Sequence, residues 1–237
     1  MKIAKLDGFL PVSAALGGLG LGLRLLQRGA VDDRGLLVPG HPVTLLLWLL
    51  VPVTLGLTLA LLRGCAGKAD LTPSRLGAAG CLAGAAGCLV SVFTAAVEGW
   101  LVWRCLGVAA GVGLALLARG RWLGKKVSCL ASLAVCLYFL AHLVMNYRVW
   151  SADPQTMDYL FDLLATIFLM IFCYDAAALA AGLGKPLHLT GAGLLSISFC
   201  LMALADSQWP WLYLGGLALA LTNRLPLGPK EERHGSA

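Results

Sequence analysis

The sequence predicts an all-α integral membrane protein with eight transmembrane helices. Of its 237 residues, 59% are hydrophobic and only 13% are charged, whereas about 25% of the residues in an ordinary soluble domain are charged. So few charges cannot cover the surface of a water-soluble fold, and mean hydropathy is accordingly high at +0.83. The apolar runs are continuous and do not alternate with polar residues, which favours helices over a membrane barrel.

Eight apolar runs approach the length of about 20 residues that a spanning helix needs. We place the spans at about 7–26, 42–62, 76–97, 100–118, 127–146, 158–182, 188–206 and 209–223. They form a single transmembrane domain over residues 1–237, in which short loops leave no room for a soluble catalytic domain. Lys2 and Lys5 precede the first run, but no small-residue cleavage site follows it, so we expect a spanning helix there and not a cleaved signal peptide.

The charge distribution predicts the orientation. The net charge is +6, and basic residues are enriched on the cytoplasmic side of membrane proteins. Eight spans with both termini inside place 13 of the 18 Lys and Arg residues in the cytoplasm, and seven spans would weaken this bias. No basic block is interleaved with aromatic residues, so nucleic acid is not an expected partner. The tryptophans near the predicted outer ends of the spans indicate an interfacial belt.

Small residues predict where helices pack closely. Three glycine pairs are spaced by four and so share a helix face: Gly18 with Gly22, Gly80 with Gly84, and Gly107 with Gly111. One side of the third helix is almost bare, because it carries Gly77, Gly80, Cys81, Gly84, Gly87 and Cys88. We therefore expect this helix to be central and tightly packed; the alternative is that its glycines and alanines reflect a biased composition. The eight cysteines include no CxxC and no zinc-like spacing to histidine. We therefore interpret them as packing residues and expect neither a metal nor another cofactor.

A parallel four-plus-four repeat is a further hypothesis. Gly67-Lys68 follows the second span and Gly184-Lys185 follows the sixth, and each pair precedes a helix that ends at an acid, Glu98 or Asp206. Four spans separate the two copies, so a repeat would relate them by an axis along the membrane normal.

One segment carries a family resemblance. It comprises Tyr147, Trp150, Ser151, Asp153 and Pro154, followed by Tyr159, Leu163, Leu164, Ala165, Met170, Tyr174, Ala176, Ala177 and Gly184. This pattern resembles uncharacterised polytopic membrane proteins of Gram-positive gut bacteria over less than a fifth of the chain. The resemblance implies a bacterial plasma membrane protein, and it implies no activity and no site residues.

Acidic and polar residues cluster around the connection between the fifth and sixth spans. His142 and Asn146 share one helix face with Tyr138, and Asp158 shares another with Asp162, both at a spacing of four. Acids inside a membrane helix are costly and are usually functional. We predict an outward-facing polar pocket for a small cationic or zwitterionic ligand, or for protons. Its residues are Glu98, His142, Asn146, Arg148, Asp158 and Asp162.

Asp175 lies deeper in the sixth span and away from the Asp158 and Asp162 face, so we interpret it as a coupling or gating acid. The alternative for the whole set is structural: Arg148 pairs with Asp153 or Asp158, Arg104 pairs with Glu98, and Asp175 bonds to a neighbouring helix.

Three function classes follow. The first is a small-molecule or ion transporter, or a substrate-capturing membrane subunit, and a continuous polar cavity reaching the midplane would favour it. The second is a membrane sensor, an assembly factor or a partner subunit of another membrane protein. The third is an intramembrane enzyme, which the sequence favours least because no nucleophile motif surrounds Ser151.

Overall fold

The fold class is confirmed. The computed structural model describes residues 9–29, 41–63, 65–67, 74–94, 101–125, 127–150, 156–223 and 227–229. The helices there are α1 (Phe9–Gln27), α2 (Pro42–Leu62), α3 (Arg75–Thr94), α4 (Leu101–Leu123), α5 (Cys129–Trp150), α6 (Thr156–Ala180), α7 (Pro186–Ala203) and α8 (Pro210–Thr222). Two strands of three residues, β1 (Cys65–Gly67) and β2 (Leu227–Pro229), pair antiparallel. Each helix falls on one of the eight predicted spans.

Seven of the described helices are long and apolar enough to cross a membrane, and α8 is shorter at 13 residues. Even so, α8 reaches both ends of the bundle. Its N-terminal Trp209 contacts Trp103 near the start of α4, and the Asn223 that follows it bonds to Arg121 near the end of α4. These two α4 positions are about 27 Å apart along the helix. The chain therefore crosses the bundle eight times, as the sequence predicts.

Six helices, α3 to α8, form a closed ring in which each packs on the next and α8 packs back on α3. Helices α1 and α2 lie outside this ring against α7. Because every side of α7 then has a neighbour, most of its residues are buried. Large side chains, including Tyr138, Phe139, Phe161 and Leu169, fill the space inside the ring.

Successive helices run in opposite directions, so their ends form two layers. We call them the Asp206 end and the Asn223 end, after residues at the end of α7 and the end of α8. At the Asn223 end, the Asn223 amide donates to the Gly77 carbonyl at 3.1 Å and accepts from Arg121 Nε at 3.1 Å. The β1–β2 ribbon lies at this same end, since β1 follows α2 and β2 follows α8. These contacts join α3, α4 and α8 at one level.

The expected tight packing of α3 is confirmed by its glycines, but its expected central position is wrong, because α3 packs mainly on α4 and α8 whereas α7 has neighbours on every side. A Cβ added at Gly87 would lie 2.5 Å from the Trp211 carbonyl oxygen, and one added at Gly215 on α8 would lie 2.9 Å from the Ala83 carbonyl oxygen of α3. The prediction for Gly18 and Gly22 is wrong for the described part of the chain. A Cβ at either position would meet nothing within 4 Å, because that side of α1 faces away from the bundle.

The helix packing does not follow the hypothetical four-plus-four repeat. A two-fold axis that relates α1–α4 to α5–α8 would pair α4 with α7 wherever it pairs α8 with α3. Helix α3 packs extensively on α8, whereas α4 and α7 have no comparable contact among the described residues. The bundle is therefore a ring with two added helices and not two matching halves.

Substitution of Gly87 tests the close contact of α3 with α8. We expect Gly87→Ala to lower the unfolding free energy in detergent by about 1–3 kcal/mol, because the new methyl group meets backbone that cannot rotate away. Gly22→Ala is the matched control, since it adds the same methyl group to open space and improves helix propensity. Equal stabilities of the two variants would contradict this packing.

Candidate functional site

An ion pair between a buried arginine and a partly exposed aspartate joins α1 to the end of α7. Arg24 Nη2 lies 2.8 Å from Asp206 Oδ2, and Arg24 Nη1 donates to Gln27 Oε1 at 2.8 Å. Arg28 pairs with the same carboxylate and also donates to the Ala205 carbonyl. The Arg24 side chain is 4% exposed, whereas that of Arg28 is 55% exposed. The α1 helix thus places one arginine inside the bundle and the next, one turn later, at its rim.

Arg24 is also packed against an aromatic ring. Its guanidinium carbon lies 5.3 Å from the ring centroid of Phe161 on α6, a distance at which a cation is attracted to the ring face. Gln27, the other polar neighbour of Arg24, reaches Thr44 on α2 at 3.4 Å. This cluster therefore connects α1, α2, α6 and α7 at the Asp206 end.

Asp162 is the buried acid beside this ion pair. It lies one residue after Phe161 and is 9% exposed. The Ser207 hydroxyl hydrogen-bonds to its carboxylate, and Arg24 and Asp206 both lie close enough to act on it electrostatically. Its Oδ1 atom has no hydrogen-bond partner among the described residues. A buried carboxylate oxygen without a partner is costly, so a missing donor is expected there.

Below Asp162, towards the middle of the bundle, a short hydrogen-bonded network ends the polar region. Thr166 Oγ1 donates to the Asp162 carbonyl at 2.8 Å and lies 3.1 Å from the Tyr213 hydroxyl. Tyr213 also donates to the Asp162 carbonyl, at 3.1 Å. The next residues on this α6 face are Leu169 and Cys173, both buried. The polar path from the Asp206 end therefore stops about one turn below Asp162.

Four rings form a second cluster, which we call the His142 cluster: Trp103, Tyr138, His142 and Trp209. The His142 ring lies 5.0 Å from Trp209 in an edge-on arrangement and 6.2 Å from Trp103, measured between centroids. Trp103 contacts Trp209 at 5.3 Å. His142 is 0% exposed. Residues from α4, α5 and the start of α8 thus enclose one imidazole.

Two polar atoms of this cluster lack partners. Trp103 Nε1 and the Tyr138 hydroxyl are buried and make no hydrogen bond within the described residues. The Ser207 hydroxyl links the cluster to Asp162. It accepts a hydrogen bond from the backbone N–H of Trp209 at 2.8 Å, and it also contacts the Asp162 carboxylate. The two clusters are therefore neighbours on either side of the connection between α7 and α8.

Three of the predicted site residues, His142, Asn146 and Asp162, lie at the Asp206 end, and the structure describes their surroundings. Asn146 Nδ2 lies 3.2 Å from both ring nitrogens of His142 and donates to the His142 carbonyl at 2.8 Å. His142 and Asp162 are both buried at this end, in adjoining clusters. Arg148 is exposed two residues beyond Asn146.

Of the three other predicted residues, two fall outside the described part of the chain and one lies at the opposite end of the bundle. Glu98 and the side chain of Asp158 lie outside the described residues, as do the proposed Arg148 partner Asp153 and Ser151. Asp175 is half-buried near His188, at the Asn223 end and about 20 Å along α6 from Asp162.

Two expectations need correction. The outward-facing pocket is closed at His142 and Asp162, because the rings of the His142 cluster and the Arg24–Asp206 pair cover them. A cavity in the described residues lies elsewhere, between α3 and α4. Trp103 and Trp209 are also not part of an interfacial belt, because both are buried in the His142 cluster, whereas Trp211 is exposed as expected.

Arg24, Ser207 and Tyr213 are site residues that sequence reasoning missed. Because Arg24 comes near the end of an apolar run, the sequence indicates a charge in the loop after the first span and not a charge inside the bundle. One signal was available: Arg24 and Arg28 are spaced by four, so a single acid on another helix can bind both. The sequence offered no means of choosing Asp206 as that acid.

Comparisons with protein-family models, with curated proteins and with solved structures found no match to this chain. Functional inference therefore depends on the geometry of this site.

The unequal burial of the two arginines gives a stability prediction. We expect Asp206→Asn to lower the unfolding free energy in detergent by about 3 kcal/mol, because Arg24 is left buried without its main counter-charge. Arg28→Gln removes the exposed member of the same cluster and should cost less than about 1 kcal/mol. A loss for Arg28→Gln as large as that for Asp206→Asn would mean that the buried contact is not the stabilising one.

Proposed function

We propose that this protein binds a small zwitterion at Asp162, as a transporter or as the substrate-capturing subunit of one. The observation that carries the proposal is the buried Asp162 oxygen, which has no partner among the described residues and lies next to Ser207, the residue that also contacts the aromatic His142 cluster. An ammonium group supplies the donor that Asp162 Oδ1 lacks, and indole and phenol faces stabilise a cation at short range.

Charge balance favours a zwitterion over a simple cation. With Asp162 ionised, the positive charges of Arg24 and Arg28 equal the negative charges of Asp162 and Asp206. A ligand with net charge would unbalance this low-dielectric site at considerable cost. A zwitterion avoids that cost: its ammonium group faces Asp162, while its carboxylate faces the arginine side of the cluster.

A non-transporting membrane protein, such as a sensor, an assembly factor or a partner subunit, is the second candidate. The observation that favours it is the apolar interior below Thr166, where Leu169 and Phe172 are buried. A transporter needs a polar route past these side chains in another conformation, whereas a sensor needs only the binding site.

Binding and transport are tested separately on the purified full-length chain. Amino acids without an indole or phenol ring, each added to the protein in detergent, are the probes, and tryptophan fluorescence is the signal. At least one probe should change the fluorescence, and Trp103→Phe or Trp209→Phe should reduce the change because these rings adjoin the site. A protein that responds to no member of this panel would overturn the proposal.

Asp162→Asn should weaken binding of the active probe about 30-fold, the value expected for one charge-assisted hydrogen bond in a buried site. An unchanged thermal midpoint shows that the variant is folded. Asp175→Asn is the matched control for binding, because Asp175 lies at the other end of α6. If Asp175 couples transport, this control binds normally but loses uptake of the labelled probe into proteoliposomes. Unchanged affinity in Asp162→Asn would contradict the site.

We further propose that both termini are cytoplasmic in a bacterial plasma membrane. Five basic residues are assigned to the outer side, and two of them, Arg24 and Arg28, are paired with Asp206. Without these two, the excess of basic residues on the cytoplasmic side over the outer side is larger.

Cysteine substitutions at the two ends of the bundle test this orientation. In a variant without native cysteines, Gly29→Cys at the Asp206 end should react with a membrane-impermeant maleimide on intact cells. Lys125→Cys, at the opposite end of the bundle, should react only after permeabilisation; both positions are exposed. The reverse pattern would show that the Asp206 end is cytoplasmic.

A further inference from the structure

A groove on the outside of the helix ring lies apart from the Asp162 site. It runs between the end of α3 and the start of α4, has a volume of about 380 Å³ and opens to the surroundings of the bundle. Its walls are Val92, Phe93, Arg104, Cys105 and Val108. Phe93 is 78% exposed and Val108 is 41% exposed, so the groove faces the lipid.

The groove has one charged residue, and the position of that residue along α4 gives its depth in the membrane. Arg104 is in the first turn of α4, at the Asp206 end, where the helix begins at Leu101. Val108 is one turn further towards the middle of the bundle and on the same helix face. The groove therefore has a cation at the level of the lipid headgroups and apolar walls below it, in the order in which a phospholipid presents its phosphate and its acyl chains.

The glycines of α4 keep this groove narrow. A Cβ at Gly111 would lie 2.8 Å from Leu89 Cγ, and one at Gly107 would contact Val92 and Tyr138. These glycines bring α3 and α4 together below the groove, so the gap that remains is at the helix ends, beside Phe93 and Arg104. Because it lies between two closely packed helices, the groove belongs to the fold itself and not to a loop.

The Arg104 side chain is exposed. In the described part of the chain, the ion pairs are those of Arg24 and Arg28 with Asp206, and none involves Arg104. A guanidinium group binds phosphate oxygens in a bidentate manner, and its side-chain stem packs on apolar surface.

We infer that this groove is a binding site for one anionic phospholipid. Its phosphate contacts the Arg104 guanidinium, and one acyl chain lies along Val92, Phe93 and Val108. A zwitterionic phospholipid has the same phosphate but carries its own cation, so it is bound less well beside an arginine. This site is independent of the proposed zwitterion site, which lies inside the ring.

Native mass spectrometry of the full-length protein tests this inference. The protein is equilibrated with equal amounts of phosphatidylglycerol and phosphatidylcholine, and retained lipid is counted. We expect one phosphatidylglycerol per chain and a preference over phosphatidylcholine of about fivefold. Arg104→Gln should abolish the preference, and Arg119→Gln, an exposed arginine at the other end of α4, should preserve it.

A second pair of variants tests the apolar walls. Val108→Trp fills the groove and should remove the retained lipid of both kinds, whereas Val112→Trp, one turn along α4 at an exposed position outside the groove, should not. Equal retention of the two phospholipids by the unaltered protein would overturn the preference for an anionic lipid. Full retention in both Arg104→Gln and Val108→Trp would overturn the site.

Discussion

The charges inside the bundle must be balanced within the protein, because lipid provides neither water nor counter-ions. This constraint determines the organisation of the Asp206 end. Arg24 lies inside the bundle only because Asp206, Gln27 and the Phe161 ring surround it. Asp162 lies beside the same ion pair. The balance joins helices that are distant in the chain. Against it, Asp162 Oδ1 is a buried carboxylate oxygen that has no hydrogen-bond partner among the described residues.

The second organising contact is steric and not electrostatic. Helices α3 and α8 approach each other through glycine on both sides, at Gly87 and Gly215. No charge is needed there, since small residues allow backbones to pack directly and van der Waals contact supplies the stability. This contact closes the ring and fixes the position of Trp209 at the start of α8. Packing of small residues therefore supports the His142 cluster, although none of those residues belongs to it.

Much of this fold could be predicted from the sequence, since a run of about 20 apolar residues in lipid has few alternatives to a helix. The eight helices and the tight packing of α3 follow from such local patterns. The pairing of α1 with α7 does not, because Arg24 and Asp206 are separated by most of the chain. Tryptophan at a helix end has the same local signature whether it anchors in lipid or packs inside, so Trp103 and Trp209 were misplaced. Asp162 and His142 could be selected from the sequence because polar residues are conspicuous in apolar helices. Their burial could not be predicted, because it depends on how the helices pack.

The position of α1 and α2 outside the ring affects how the chain is made. Both pack on α7, and β1 pairs with β2 beyond α8. When the ribosome has completed the first helical hairpin, more than a hundred residues remain to be synthesised before its docking surface exists. During that interval the hairpin resides in the bilayer with Arg24 lacking the acid that later neutralises it. The contact of this hairpin with α7, and the pairing of Arg24 with Asp206, can therefore form only after most of the chain has been made.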